Sequence, residues 1–389
     1  MSGPVSGPPA PTPRRRDAIL SHAAFHVAAA AWIAAMLLLA FRDRERFTAL
    51  MQEDRVVEWM SAALFAAAGA VRLPRAIRER RVFDLLVALF CLVVAGEEFS
   101  WGQRLLGFTP PAYFLERNVQ QEFNLHNLHG TIGNPRRGLM LIMAGYSVLL
   151  PLAAMWRPTR RVLDTIGATA PSWQLAPWFL ACIGILLWYP ASFTGEWVEM
   201  LAGALFLYAA ALPAAQFWVT VAAGLAVSAA LTTISARSRG GDASRLVCAR
   251  AEAAALVADL TRPGAPTARL RRRRGVVDRR VWAAWESGYI EIDSLRTFYR
   301  LACPGVAGKD PAERRRYVVD PWGTSYWLLV DRPVDSLRPL RVYSYGPNRR
   351  GDQTSPSGGD DVAATGMLPV RAPATPSDSV RADSTSVRP

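Results

Sequence analysis

Residues 96–129 read GEEFSWGQRLLGFTPPAYFLERNVQQEFNLHNLH. A long apolar run ends at Gly96, and two adjacent carboxylates, Glu97 and Glu98, follow it. Two histidines three residues apart, His126 and His129, close the stretch. Between them lie Trp101, Pro110, Pro111, Tyr113 and Phe114. That composition suits a segment at a membrane surface, where aromatic rings sit at headgroup level. Whether the four acid and imidazole groups form one site decides how the apolar part is read.

The chain has 389 residues and is 51% hydrophobic, but the apolar residues are clustered. Long apolar runs fill the first two-thirds, while the last third is polar, arginine-rich and ends in a Pro/Ser/Asp tail. This asymmetry predicts a helical membrane portion followed by a soluble domain. The expected divisions are a disordered cytoplasmic tail at 1–16, a multi-pass membrane domain at 17–236, an extracytoplasmic domain at 237–371 and a disordered tail at 372–389. The net charge of +13 is almost all arginine, Lys309 being the single lysine. No nucleic-acid motif accompanies it, so the basic balance points to loop anchors and membrane lipids as partners. The N-terminus is Pro/Gly-rich and then basic, and no small-residue cleavage site closes the following apolar run. It reads as a retained membrane helix rather than a cleaved signal peptide.

Seven transmembrane helices are expected, at 18–41, 56–71, 82–96, 138–156, 175–189, 198–212 and 217–236. Several fall short of the ~20 apolar residues a span needs and gain length from flanking interfacial residues. Arginine clusters at 14–16, 72–81 and 157–161 fall on one side of such a bundle, which makes that side cytoplasmic. Arg42, Arg44, Arg46, Arg136 and Arg137 fall on the other side. The reading is a bacterial inner-membrane protein with a cytoplasmic N-terminus and an extracytoplasmic C-terminal domain.

With this topology Glu53, Asp54, Glu58, Glu97, Glu98, His126, His129, Glu196 and Glu199 all fall at the outer face. Ionised side chains at membrane depth are expensive and mark candidate sites. Glu196 and Glu199 are three apart and share a helical face. Three readings remain open. The groups bind a divalent metal such as zinc, whose water attacks a lipid or ester with a spare glutamate as base. They pair with arginines as a structural polar cluster. Or they form an interfacial proton or ion relay. His22 and His26, four apart near the other end of the first helix, read as interfacial histidines.

Cys91 and Cys182 sit in apolar runs as packing residues. Cys248 and Cys303 lie in the soluble part and form either a disulfide or two free thiols. Beyond the membrane part a helical pattern continues to about residue 260, and short strands with turns follow from 318.

The segment DPWGTSYWLLV, then LRVYSYGPNRRGD, then SGGDDV resembles the C-terminal domain of the type II secretion major pseudopilin. Asp320, Pro321, Trp322, Gly323 and Tyr326 match the first family motif; Ser344, Gly346, Gly359, Asp360 and Asp361 match the second. The resemblance implies a small α+β pilin-like domain with a calcium-wrapping loop. Carried over by motif position, the calcium ligands are Asp360 and Asp361, with Ser344 near the site and Asn348 standing where the family has aspartate. It also implies a partner in a secretion or envelope assembly. The family's processed leader with its glutamate is missing, so the resemblance implies a pilin-like domain fused to a membrane carrier. Residues 53–128 resemble a pattern in bacterial multi-pass membrane proteins to which no activity is attached. They are more loosely similar to seven-helix membrane metal hydrolases of the ceramidase and adiponectin-receptor type, without the helix-borne histidine triplet of that group. The expected fold is thus membrane all-α plus a small α+β pilin-like domain, with a binding or structural role. The alternative is a metal-dependent hydrolase at the outer face.

Overall fold

The computed structural model describes residues 13–51, 55–106, 110–118, 122–126, 128, 135–238, 242–265, 267–301, 316–346 and 361–370. It is mostly helical and divides into two compact units. The first comprises Met1–Arg104 and Phe123–Ala236; the second comprises Leu105–Glu122 and Arg237–Pro389.

The first unit contains helices α1 (Pro13–Arg42), α2 (Val56–Arg78), α3 (Val82–Glu98), α4 (Pro135–Met155), α5 (Ala176–Trp188), α6 (Thr194–Tyr208) and α7 (Ala214–Ser238). Each expected apolar stretch is therefore helical. Four helices are long and apolar enough to cross a membrane, over His22–Arg42, Val56–Arg78, Pro135–Met155 and Ala214–Ile234. The other three, α3, α5 and α6, have 17, 13 and 15 residues, below the ~20 of a full span. Local backbone sets some of these limits. Tyr189 and Phe193 take left-handed conformations, with φ of 49° and 65°, and so separate α5 from α6.

Helix α2 packs against both α3 and α6. Two glycines allow the close approach that such apolar helices need. A Cβ on Gly69 would lie 2.9 Å from the Ala88 carbonyl oxygen, and one on Gly203 would lie 3.1 Å from the Leu64 Cβ. Around this crossing Phe65, Tyr146, Phe179 and Phe206 form a buried aromatic core. Arg72 is buried beside it and donates from Nη2 to the Tyr146 hydroxyl at 2.8 Å, a polar partner that makes its burial tolerable.

The second unit is a helix laid on an antiparallel sheet. Helix α8 (Asp242–Thr261) packs on strands β3 (Leu337–Ser344) and β4 (Val362–Pro369). The sheet order is β1-β2-β3-β4, with β1 at Val277–Arg280 and β2 at Trp327–Val330. Leu328 pairs with Val342 and Leu340 with Gly366. Alternate β3 residues, Arg338, Leu340, Val342 and Ser344, face the core. The 317–320 segment, which reads as strand-like, forms a helical end and a single bridge, Val319 to Ser325. Strand β1, flanked by arginines, carries no strand signal in the sequence. The short helix Ala112–Arg117 belongs to this second unit. Arg280 secures it by donating to the carbonyl of Leu115 at 3.0 Å and of Glu116 at 3.1 Å, and to that of Asn118.

The crossing of α2 gives a direct test. Gly69→Ala overpacks a backbone contact and is expected to cost about 1–3 kcal/mol. Thermal unfolding in detergent reads this as a lowered Tm. Gly138→Ala, whose Cβ meets nothing within 4 Å, leaves Tm unchanged or slightly raised. Equal Tm for both variants would contradict the close crossing.

Candidate functional site

Three helices bring acidic side chains to one place in the first unit. Glu98 is the last residue of α3, and Glu196 and Glu199 lie in the opening turns of α6. One carboxylate oxygen from each lies within 4.8 Å of the other two, and all three residues are half-buried. Glu58, in the first turn of α2, is 7% exposed and lies close enough to act on Glu98 electrostatically. The helix starts of α2 and α6 place partial positive charge near their acids, which offsets part of the repulsion. Oxygen-only donors of this kind suit hard divalent cations such as magnesium, manganese or calcium better than zinc. The same carboxyl groups can instead hydrogen-bond to one another without a cation.

Glu97 does something different from its neighbour. Its carboxylate accepts from the backbone N–H of Leu125 at 2.6 Å and of His126 at 2.9 Å, and from Trp101 Nε1 at 2.7 Å. His126 Nδ1 lies 3.4 Å from the same carboxylate. Gln103 accepts from the Phe123 N–H at 2.6 Å, and Asn124 donates to Ser100 at 3.3 Å. The 123–126 loop is therefore tied to the end of α3 by side chains from 97–103. The chain reverses there through three consecutive left-handed residues, Ser100, Trp101 and Gly102, with φ of 49°, 51° and 85°. The two non-glycines cost of order 1–3 kcal/mol each. Gly96 is required because a Cβ would meet the Trp101 ring at 2.9 Å.

The structure thus brings Glu58, Glu98, Glu196 and Glu199 together and assigns Glu97 and His126 to the neighbouring lock. Among the described residues, Glu98, Glu196 and Glu199 are the one group of three such ligands. Glu53, Asp54 and His129 lie outside the described residues. Ser100, Gln103 and Asn124 carry the lock and were not singled out from sequence; their signal is polarity inside an otherwise aromatic stretch. His22 and His26 sit in a separate network. Trp178 Nε1 donates to His26 Nδ1 at 2.6 Å, the two Nε2 atoms lie 3.4 Å apart, and His22 also contacts Tyr208 and Gln174.

In the second unit Asp320 organises the DPWG turn. Its carboxylate accepts from the N–H of Trp322 at 2.9 Å and of Thr324 at 2.8 Å, and from the Thr324 hydroxyl at 2.6 Å. Ser344 also donates to it, and accepts from the Gly346 N–H at 3.0 Å. The fully buried Ser344 hydroxyl is committed to this turn. Asp361 stands directly before β4; Asn348 and Asp360 lie outside the described residues. Cys248 is disulfide-bonded, Cys91 and Cys182 are free, and Cys303 lies outside the described residues. Compared with protein-family models, curated proteins and solved structures, the chain matches none of them.

Two expectations follow from these contacts. Glu97→Ala removes the acceptor for two loop amides, and the loss of a charged acceptor is worth about 1.5–3 kcal/mol. Hydrogen exchange at Leu125 and His126 should accelerate about tenfold or more, with α2 protection unchanged; unaltered exchange at those amides would contradict the lock. In the second unit, burial and nearby Asp278 push the Tyr345 phenol up to about 12. A raised folded-state value means stability is complete below the ordinary tyrosine value of about 10 and is lost as pH climbs toward 12. Tyr345→Phe should flatten that alkaline loss in a pH series of second-unit unfolding.

Proposed function

We propose that this chain is a multi-pass protein of the bacterial inner membrane that works through a divalent cation held by Glu98, Glu196 and Glu199, with Glu58 behind them. The observation that carries this reading is the convergence of carboxylate oxygens from separate helices within 4.8 Å. A run of acids on one helix surface would have a simple solvated explanation, whereas acids gathered from α2, α3 and α6 offer several oxygen donors to one point, as a hard divalent cation needs. The half-buried position leaves the centre accessible. A cation there supplies Lewis acidity toward a phosphate or ester oxygen, and a carboxylate not engaged with it serves as general base. On this reading all seven helices belong to the membrane domain, the N-terminus is cytoplasmic and the carboxylates face outward.

Metal analysis of the purified full chain tests it. About one equivalent of manganese or magnesium is expected after loading, falling to background in Glu98→Gln/Glu199→Gln, with a thermal shift that disappears in parallel. Absence of metal and of any shift in the unsubstituted chain overturns it and favours shared protons.

A second reading concerns the other unit. Helix α8 lying across an antiparallel sheet, with the Asp320 turn feeding β2, supports a pseudopilin-like module that binds an envelope or secretion partner. The calcium loop implied by that resemblance rests on Asp360 and Asp361, with Asn348 and the nearby Ser344. Occupied at a hundred times its Kd, such a site stabilises by about 2.7 kcal/mol. Calcium should raise, and chelator lower, the melting of the Glu98→Gln/Glu199→Gln variant, in which the first site is removed; an unchanged melt counts against the loop.

A further inference from the structure

A groove of about 500 Å³ lies between α3 and α4, with Phe83, Phe90, Gly145, Tyr146, Leu149 and Ala153 in its wall. It is almost wholly apolar. It opens where α4 passes through a π turn, Gly145–Leu149, an insertion that locally widens a helix and recurs at functional sites. A Cβ on Gly145 would meet nothing within 4 Å, so the turn faces open space. Around the opening Leu86, Leu141, Leu152 and Met155 are exposed. Such a surface is covered by acyl chains when α4 crosses a bilayer.

One end of the groove is basic, and local hydrogen bonds hold it so. After Trp156 the chain turns into the short helix Arg157–Thr165. Thr159 donates back to the carbonyls of Ala153 and Trp156, which ties this helix to the groove wall. Beyond its far end, the Ile166 carbonyl accepts from the Phe83 N–H at 3.0 Å and the Gly167 carbonyl from Arg81 at 3.3 Å. The helix thus bridges from Ala153 to Phe83, one residue on each side of the groove. Arg157, Arg160 and Arg161 on it are exposed, and none is ion-paired among the described residues; Asp164 is its single acid. Arg81 beside them is already engaged by Asp84 at 3.2 Å. Trp156, 66% exposed, stands at the junction, the position of an interfacial anchor.

We infer that this groove is a binding site for an anionic phospholipid, with one acyl chain between α3 and α4 and the headgroup phosphate on Arg157, Arg160 and Arg161. The apolar wall accepts the chain by dispersion and exclusion of water, and guanidinium groups bind phosphate through paired N–H donors. Basic pockets between membrane helices select anionic headgroups for this reason. The site is independent of the carboxylates, which lie at the opposite end of α3.

Native mass spectrometry of the full chain, incubated in detergent with phosphatidylglycerol or with phosphatidylcholine of identical chains, tests the inference. Phosphatidylglycerol should be retained several-fold better. Gly145→Phe, which fills the groove from its open side, should abolish retention of both lipids, and Ile142→Trp is a second filling variant should the first fold poorly. Arg157→Gln/Arg160→Gln/Arg161→Gln should bring the two lipids to equal retention without abolishing either. Equal retention by the unsubstituted chain, or full retention by a folded groove-filling variant, overturns the site.

Discussion

Carboxylates repel one another, and Glu58, Glu98, Glu196 and Glu199 are held together by the packing of three helices. Close packing leaves these helices little freedom to separate. Gly69 and Gly203 bring α3 and α6 onto α2 at close range, and the aromatic core around Phe206 fills the space below. Helix starts contribute favourable partial charge. Glu97 then fixes the end of α3 by binding the backbone of the loop that follows. Two adjacent glutamates thus divide the work: one binds the backbone of the following loop, and the other joins the cluster.

Helix α3 also joins two chemistries. Its C-terminal end carries the acidic centre, and its N-terminal end borders the basic helix Arg157–Thr165 and the apolar groove. With a rise of about 1.5 Å per residue, the two ends are roughly 25 Å apart. Both depend on how the same helix packs, α2 on one side and α4 along the groove.

Much of this was legible in the sequence. The spacing of Glu196 and Glu199 placed them on one face, and the topology read from the arginines expected Glu58 and Glu98 near them, where the structure brings them. The apolar runs foretold helices α1 to α7, though not the short helices Arg44–Leu50 and Arg157–Thr165, and the DPWG turn foretold β2. Other features were hidden for physical reasons. Glu97 and Glu98 are consecutive, and only the left-handed reversal at Ser100–Gly102 separates their roles. Helix length in three of the seven runs depended on backbone turns such as Tyr189 and Phe193 that composition does not report. Arg338 occupies a core position in β3 because its guanidinium reaches the carbonyls of Asp331, Leu270, Arg273 and Gly275; those partners lie in other segments. Strand β1 is held by its pairing with β2, not by its own residues.

The membership of Leu105–Glu122 in the second unit has a consequence for how the protein comes into being. That unit is discontinuous in sequence: its first piece leaves the ribosome long before α8 and the sheet. Arg280 and the carbonyls of Leu115, Glu116 and Asn118 meet only after the rest of the helical unit has been made. Such non-local closure is slow compared with local helix formation. Until it occurs, the Ala112–Arg117 helix must wait without its partners, and the second unit is not an appendage that can be cut away cleanly at residue 237.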